Sequence, residues 1–499
     1  MKNRIALLAA AIVPLAACTV GPDFKPPRPE TPASFTAMPV PEHNVQITSA
    51  PADEGAWWAR FRDPELNALI ANAGAGNFDM RTAALRIAEA REQLAVAEAD
   101  RYPTLGGNLS YTRQRFSTTT PQGRLFNGVG KLGGSTLMVP NFPNPYDQFQ
   151  LGFDASWEPD LFGRVRRNIE AADADTQASV EDSHDVLVSL DSEIARNYID
   201  LRSAQLKLTI SRADLAVDRD ILLLAQQRRQ AGLTTEIDVH NAAAQATATE
   251  ALIPQLEREI EVDINQLSLL LGRSPGALQT ELAAEKPIPP LPPEIAVGLP
   301  GDIVRRRPDI RAAEARLHSA TARIGVATAE LFPQLTLSAQ FGTQSEQFPG
   351  LFEWASRFFN VGPTLQLPIF EGGKLRATVQ LNDVREQEAA VTYAKTVVGA
   401  VHDVQNALIT LQNEEQRHAS LDATVNESRI AFDLARDRYS AGVTGFLDVL
   451  DADRSFEQNE SSLADSTAAL STDAVALFKA LGGGWQQPDE IEIRTGDIR

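Results

Sequence analysis

The sequence predicts an α+β chain made of two copies of one unit, each supplying a pair of strands and a pair of very long helices. Three observations predict it. Segments far apart in the chain repeat one another at fixed shifts. Four short segments alternate apolar with polar residues. One stretch, 164–230, has neither proline nor glycine and carries an apolar column at every seventh position. Composition narrows the function. The 499 residues hold 46 Lys+Arg against 66 Asp+Glu, a net charge of -20, which argues against coating nucleic acid, because phosphate needs a cationic face. At 43% hydrophobic and 22% charged, the chain folds rather than remaining disordered. Its single cysteine excludes an internal disulfide, a thiolate zinc site or a CxxC pair. His43, His184, His240, His318, His402 and His418 are scattered and form no metal-binding pair, so no metal or diffusible cofactor is expected.

The repeat organises everything else. Shifted by 230, Arg86, Ala90, Val96, Ala97, Ala99, Pro103 and Leu105 coincide with Arg316, Ala320, Val326, Ala327, Ala329, Pro333 and Leu335. Shifted by 210, Arg228, Ala231, Gly232, Thr234, Asp238, Val239 and Gly272 coincide with Arg438, Ala441, Gly442, Thr444, Asp448, Val449 and Gly482. Two shifts that differ by 20 imply a larger loop in the first half. The expected organisation is 61–299 for the first repeat and 300–484 for the second. A signal at 1–17 and a Pro-rich tether at 18–60 precede them, and a tail at 485–499 follows.

Each repeat opens with a helix. The first begins at Asp63-Pro64-Glu65, an N-cap followed by proline at the first helical position, and is expected to run toward Arg101. Its counterpart is expected from Arg307-Pro308-Asp309 to Leu331. Strands follow at Leu105–Tyr111, Leu151–Trp157, Leu335–Phe341 and Phe359–Ile369. Their period of two separates an apolar from a polar face, as strands between oil and water require; a small soluble hairpin in each half is the ordinary alternative. The connections 113–147 and 343–356 are rich in loop-forming residues. Next comes the long helix, with Val180, Leu187, Ile194, Leu201, Leu208, Leu215 and Leu222 at sevens, and Ala390, Val397, Val404, Leu411, His418, Val425 and Phe432 in the second copy. Sustained sevens mean helices supercoiled side by side, and such a helix is on the order of 100 Å long. His418 reads as a tolerated polar layer. Return helices follow the turns at Ala231-Gly232 and Ala441-Gly442.

The N-terminus carries an export signal. Lys2 and Arg4 precede an apolar run that ends in Leu15-Ala16-Ala17-Cys18, too short to span a membrane. It resembles a bacterial lipobox, which implies acylation of Cys18. Thr19 after it, rather than Asp, by resemblance to sorted lipoproteins favours the outer membrane over retention in the inner one. Cleavage would move the charge from -20 to -22 by removing Lys2 and Arg4. Trp57, Trp58 and Phe61 are expected to dock the tether's end.

Four strands cannot close a membrane barrel, and open edges are forbidden in lipid. Copies must therefore associate, to 8 strands as a dimer or 12 as a trimer. Strands continued by long coiled helices imply a conduit.

Trp58-Ala-Arg-Phe-Arg-Asp63-Pro64, Asp160-Leu161-Phe162-Gly163-Arg164, Arg306-Arg307-Pro308-Asp309-Ile310-Arg311, Leu331-Phe332-Pro333 and Ala441-Gly442-Val443-Thr444 resemble the TolC-like outer membrane factors, in their lipoprotein (NodT-like) branch. The resemblance covers nearly the whole mature chain. It implies a homotrimer with a twelve-stranded transmembrane barrel and a coiled-coil helical barrel. It also implies a place in the outer membrane reaching into the periplasm, and partnership with a periplasmic adaptor and an inner-membrane pump, usually of the resistance-nodulation-division class. The expected function is the channel of a tripartite efflux pump. A type I protein-secretion duct and a periplasm-spanning scaffold lipoprotein are the alternatives.

Gate roles carry over onto Leu447 as an apolar constriction, Asp448 and Asp451 as an acidic ring, and Arg454 as a closing ion-pair partner. Asp448 and Asp451 share a helix face, and aspartates also suit an ordinary helix N-terminus. Asn241 stands where the second repeat has Asp451, so the gate is expected mainly in the second repeat. The turns with Arg228, Gly232 and Thr234, and with Arg438, Gly442 and Thr444, resemble tips onto which adaptor hairpins dock. No enzyme activity is expected. Gly272-Arg-Ser274-Pro-Gly276 matches GxSxG but follows a helix, and Gly128-x-Gly130-x-x-Gly133 has no strand–helix frame.

Overall fold

The computed structural model describes residues 19–29, 31–35, 46–48, 50, 55–117, 119–120, 129–132, 135–138 and 143–485. Cys18, the signal, and the tail beyond Trp485 lie outside the described residues. The chain divides into two compact units. One takes Met1–Lys25, Arg91–Asp175 and Leu317–Glu388; the other takes Pro26–Ala90, Thr176–Arg316 and Ala389–Arg499.

The first unit carries the sheet. Strands β2 (Thr104–Gln114), β5 (Tyr146–Trp157), β7 (Gln334–Ser345) and β8 (Arg357–Gln366) form one antiparallel sheet in the order β2-β5-β7-β8. Its register lines up Gly107, Phe153, Phe341 and Phe359 in one row, and Leu105, Ala155, Ala339 and Val361 in the next. The alternate rows hold Gly106, Asp154, Gln340 and Asn360. The face expected to be apolar is exposed, with Phe359 79% accessible. No helix among the described residues is long and apolar enough to cross a membrane. The last strand stops at Gln366 rather than Ile369, and the connection read as loop at 113–147 contains a short hairpin, β3 (Val129–Leu132) with β4 (Ser135–Met138).

The chain just after Cys18 is pinned within this unit. The Val20 amide donates to Phe162 O (3.1 Å), and Arg167 pairs with Asp23 (2.6 Å). Phe24 stacks on His318 at 4.3 Å, and Gly21 lies so close to Gly325 that a Cβ would meet its Cα at 2.4 Å.

The second unit is helical apart from a short parallel pair, β1 (Gln46–Thr48) with β6 (Glu294–Ala296). The opening helix of the first repeat does not run unbroken to Arg101. It is two helices, α1 (Pro64–Gly76) and α2 (Phe78–Ala99), joined at an extended Asn77. The Asn77 side chain accepts from the Asp79 and Met80 amides and donates to Leu270 O. The second repeat breaks at the matching place, between α5 (Pro300–Arg306) and α6 (Pro308–Ala329), at Arg307. Arg307 donates to Ala480 O at 3.1 Å, as Asn77 does to Leu270 O at 2.8 Å. Arg307 therefore corresponds to Asn77 and not to Asp63. Both joints pass close to a left-handed glycine, Gly272 or Gly482, where a Cβ would strike Gly76 O or the Arg307 side chain.

The long helices α3 (Arg164–Gln230) and α7 (Lys374–Ser440) have 67 residues each, and the return helices α4 (Glu236–Leu270) and α8 (Phe446–Ala480) have 35. The columns at sevens form the seam. Ile194, Leu201, Leu208, Leu215, Val397, Val404, Leu411, Val425 and Phe432 are all buried. His418 sits half-buried in its column, 3.2 Å from the Thr467 hydroxyl, and acts as a polar layer. Trp57, Trp58 and Phe61 are buried as expected, with Trp57 stacked on Phe478 at 5.3 Å.

Candidate functional site at the helix tips

The two tips are built alike. In the first, the Leu233 amide reaches back to Arg228 O (2.8 Å) and that of Gly232 to Arg229 O (3.0 Å), with Gly232 at φ +72. In the second, Val443 reaches Arg438 O (2.9 Å), Gly442 reaches Tyr439 O (2.9 Å), and Gly442 has φ +76. A left-handed glycine closing a helix in this way satisfies carbonyls that would otherwise lose their partners. Each return helix then starts on a threonine–aspartate bond, Thr234 to Asp238 and Thr444 to Asp448. Burial alone would raise the Asp238 carboxyl, but the Thr234 and Thr235 hydroxyls and the Thr235 amide together hold it below the ordinary range.

The tips differ in what their arginines do. Arg228 donates to Tyr439 O at 2.6 Å, and its guanidinium lies 4.5 Å from the Tyr439 ring centre, so the first repeat grips the second. Arg438 is exposed.

The start of α8 has two faces. Phe446, Val449 and Leu450 enter an apolar cluster with Ile221, Ala225, Ala242, Phe432 and Tyr439. Leu447 (64% accessible), Asp448, Asp451 and Arg454 form the exposed stripe opposite. The structure thus brings the sequence-derived gate residues onto one helix face. Within the chain Arg454 Nε donates to Gln245 Oε1 of α4 at 2.7 Å, and no ion pair joins Arg454 to Asp448 or Asp451 among the described residues.

Behind this stripe lies a polar layer that sequence reasoning missed. Asp214 and Asp218 of α3, Gln245 and Thr249 of α4, and Asp453 and Glu457 of α8 face one another. Thr249 donates to Asp218 and Gln245 donates to Glu457, both at 2.7 Å. Asp218 and Asp453 are 2% and 3% accessible and share a hydrogen bond. Burial, reinforced by the neighbouring carboxylates, pushes Asp453 and Glu457 up to about 8 and Asp214 up to about 7. Asp218, Asp453 and Glu457 bring oxygens within 4.8 Å of one another, a donor set only a hard cation would take, but Thr249 and Gln245 already engage two of those carboxylates. The spacing of i and i+4 on each helix was the available signal. It was unreadable without knowing which helices meet.

Comparison with known proteins decides the family. The model described as "Outer membrane efflux protein" matches residues 69–273 and 299–483, one segment in each repeat. The chain belongs to the outer membrane efflux protein family. Outer membrane protein OprJ of Pseudomonas aeruginosa is 32% identical over 97% of this chain and 96% of its own length. Nodulation protein T of Rhizobium leguminosarum bv. trifolii is 32% identical over 94% and 95%. Among solved structures, the outer-membrane channel OprN superposes with a TM-score of 0.84 at 33% identity, over 94% of this chain and all of that one. The protein is accordingly an outer membrane channel of an efflux pump. Like the rest of the outer membrane efflux family it transports and does not catalyse. The GxSxG match falls in the turn after α4, starting at the left-handed Gly272, with no strand before it. Gly128 and Gly133 lie outside the described residues.

Proposed function

We propose that three copies of the chain close one twelve-stranded barrel, β8 of each pairing with β2 of the next, and that the helix tips gate it from the periplasm. The open edges of the four-stranded sheet support closure by association, since its apolar outer rows suit lipid and lipid tolerates no unpaired edge. Leu447 forms the apolar constriction, and Asp448 and Asp451 line the mouth with carboxylates that favour cations. Arg454 is the closing ion-pair partner, and within the single chain its Nε also ties α8 to α4 through Gln245. Periplasmic adaptor hairpins dock at the tips around Gly232, Thr234, Gly442 and Thr444, with exposed Arg438 available to them and Arg228 serving the internal clamp. The partner across the periplasm is an inner-membrane pump of the resistance-nodulation-division class. Cys18 carries the lipid anchor, and the repeat boundaries near 61–299 and 300–484 mark the duplicated unit.

The observation that carries this reading is the exposed Leu447-Asp448-Asp451-Arg454 stripe backed by a buried apolar cluster. Native mass spectrometry of the detergent-extracted protein is expected to show three chains, each beginning at an acylated residue 18. A different stoichiometry would remove the trimer, and an unmodified Cys18 would remove the anchor.

A further inference from the structure

The buried layer behind the gate stripe has a use of its own. It joins three helices from both repeats at the level just above the apolar tip cluster, and a cavity of about 500 Å³ opens onto it, lined by Lys207, Asp214, Thr249, Arg454, Glu457 and Gln458 among others. Glu457 Oε1 is buried there without a hydrogen-bond partner. The charges around it do not balance. On α3, Lys207 is engaged by Asp465 and Arg219 by Glu250 of α4. On α8, Glu460 takes Arg429 of α7. Among the described residues only Arg454 remains to face Asp214, Asp218, Asp453 and Glu457, and it reaches Glu457 through Gln245. Four carboxylates against one guanidinium cannot all be ionised in a buried seam without strong repulsion.

We infer that this layer is a proton-held latch: with its protons in place it clamps α8 onto α3 and α4, and their loss releases the start of α8. The inference rests on the gate reading above for its effect on conduction, but the latch itself concerns only these helices.

The sign follows from linkage. In the clamped form Asp453 and Glu457 keep their protons up to about 8 and Asp214 up to about 7, with Asp218 raised by the same burial, whereas in a solvated, released form they ionise near the ordinary value of about 4. The clamped form binds more protons between these limits, so its advantage is complete at the acid end. It declines as pH rises from about 4 to about 8 and is level above that.

The test is hydrogen–deuterium exchange of the 446–457 peptide in the full-length protein from pH 5.5 to 8.5, corrected for the intrinsic pH dependence, alongside single-channel conductance. Wild type is expected to show severalfold faster corrected exchange and higher conductance at pH 8.5. The isosteric pair Asp453→Asn/Glu457→Gln, which mimics the protonated layer, should stay protected and flat across the range, while Asp448→Ala/Asp451→Ala should keep the pH-dependent exchange. No rise in corrected exchange in wild type, or an equal rise in the Asn/Gln pair, overturns the latch. If exchange behaves as expected but conductance ignores both variants, the gate reading falls and the latch stands.

Discussion

Replacing Arg202 by alanine is expected to produce the largest loss of stability of any single change in the helical unit. Arg202 is 0% accessible. It pairs with Glu65, donates to Gln205 Oε1 (2.6 Å) and Ala284 O (2.8 Å), and lies 4.8 Å from the Tyr198 ring centre. Tyr198 and Lys286 also bind Glu65, at 3.0 and 2.9 Å. One guanidinium thus ties the opening helix α1, the long helix α3 and the segment after α4. Removing one partner of a buried ion pair costs about 3–5 kcal/mol, because the other charge is left behind. For a chain this long that is a fall in the thermal midpoint on the order of 3–5 °C, read by thermal scanning of the detergent-solubilised protein. Arg202→Lys should recover only part of it, since an ammonium cannot serve several acceptors in the plane of the guanidinium fork. A midpoint within a degree of wild type would show that the network is ornamental. The same network has a pH signature. Burial alone would raise the Glu65 carboxyl, but Lys286, Arg202 and Tyr198 together hold it below its ordinary value. Its contribution is therefore present at neutral pH and is lost as pH falls below the ordinary carboxylate range through that lowered value.

The second large effect concerns conduction. Asp448→Ala/Asp451→Ala takes two carboxylates from each chain, hence six from a three-chain mouth, and removes the Thr444–Asp448 bond that starts α8. Single-channel conductance is expected to rise, because shorter side chains widen the narrowest point. Cation preference should fall by roughly tenfold, the scale on which a focused field of one sign enriches its counterion. Planar-bilayer recordings with asymmetric salt separate the two effects. Unchanged conductance together with unchanged reversal potential would place the constriction elsewhere.

What could be read from the sequence was whatever recurs locally. The strands were legible because alternation is a property of neighbours, and Phe153, Phe341 and Phe359 do share a row. The seam was legible because sevens are counted along one helix. The break at Asn77 was not, although its twin at Arg307 lies exactly one repeat shift of 230 away. An amide and a guanidinium perform the same capping task there, so identity matching passes over them. The partners of Arg202 are 137 residues away at Glu65 and 82 at Ala284. The acid layer draws Asp218 and Asp453 from different repeats. Charged residues inside a long helix read as its solvated face until the neighbouring helix is known. The gate stripe was legible as a face, but the partner of Arg454 was not, because Gln245 belongs to the other repeat.

The grip of Arg228 on Tyr439 has a mechanical consequence. With two hairpin tips per chain, a three-chain channel would present six fingers at its mouth. Because the first-repeat tip holds the backbone of the second, and the two share one apolar cluster, each pair has the freedom of a single rigid lever as long as the buried acid layer stays clamped. The mouth of such a channel would then have three independent movers rather than six, and a partner that engaged one finger of a pair would carry the other with it.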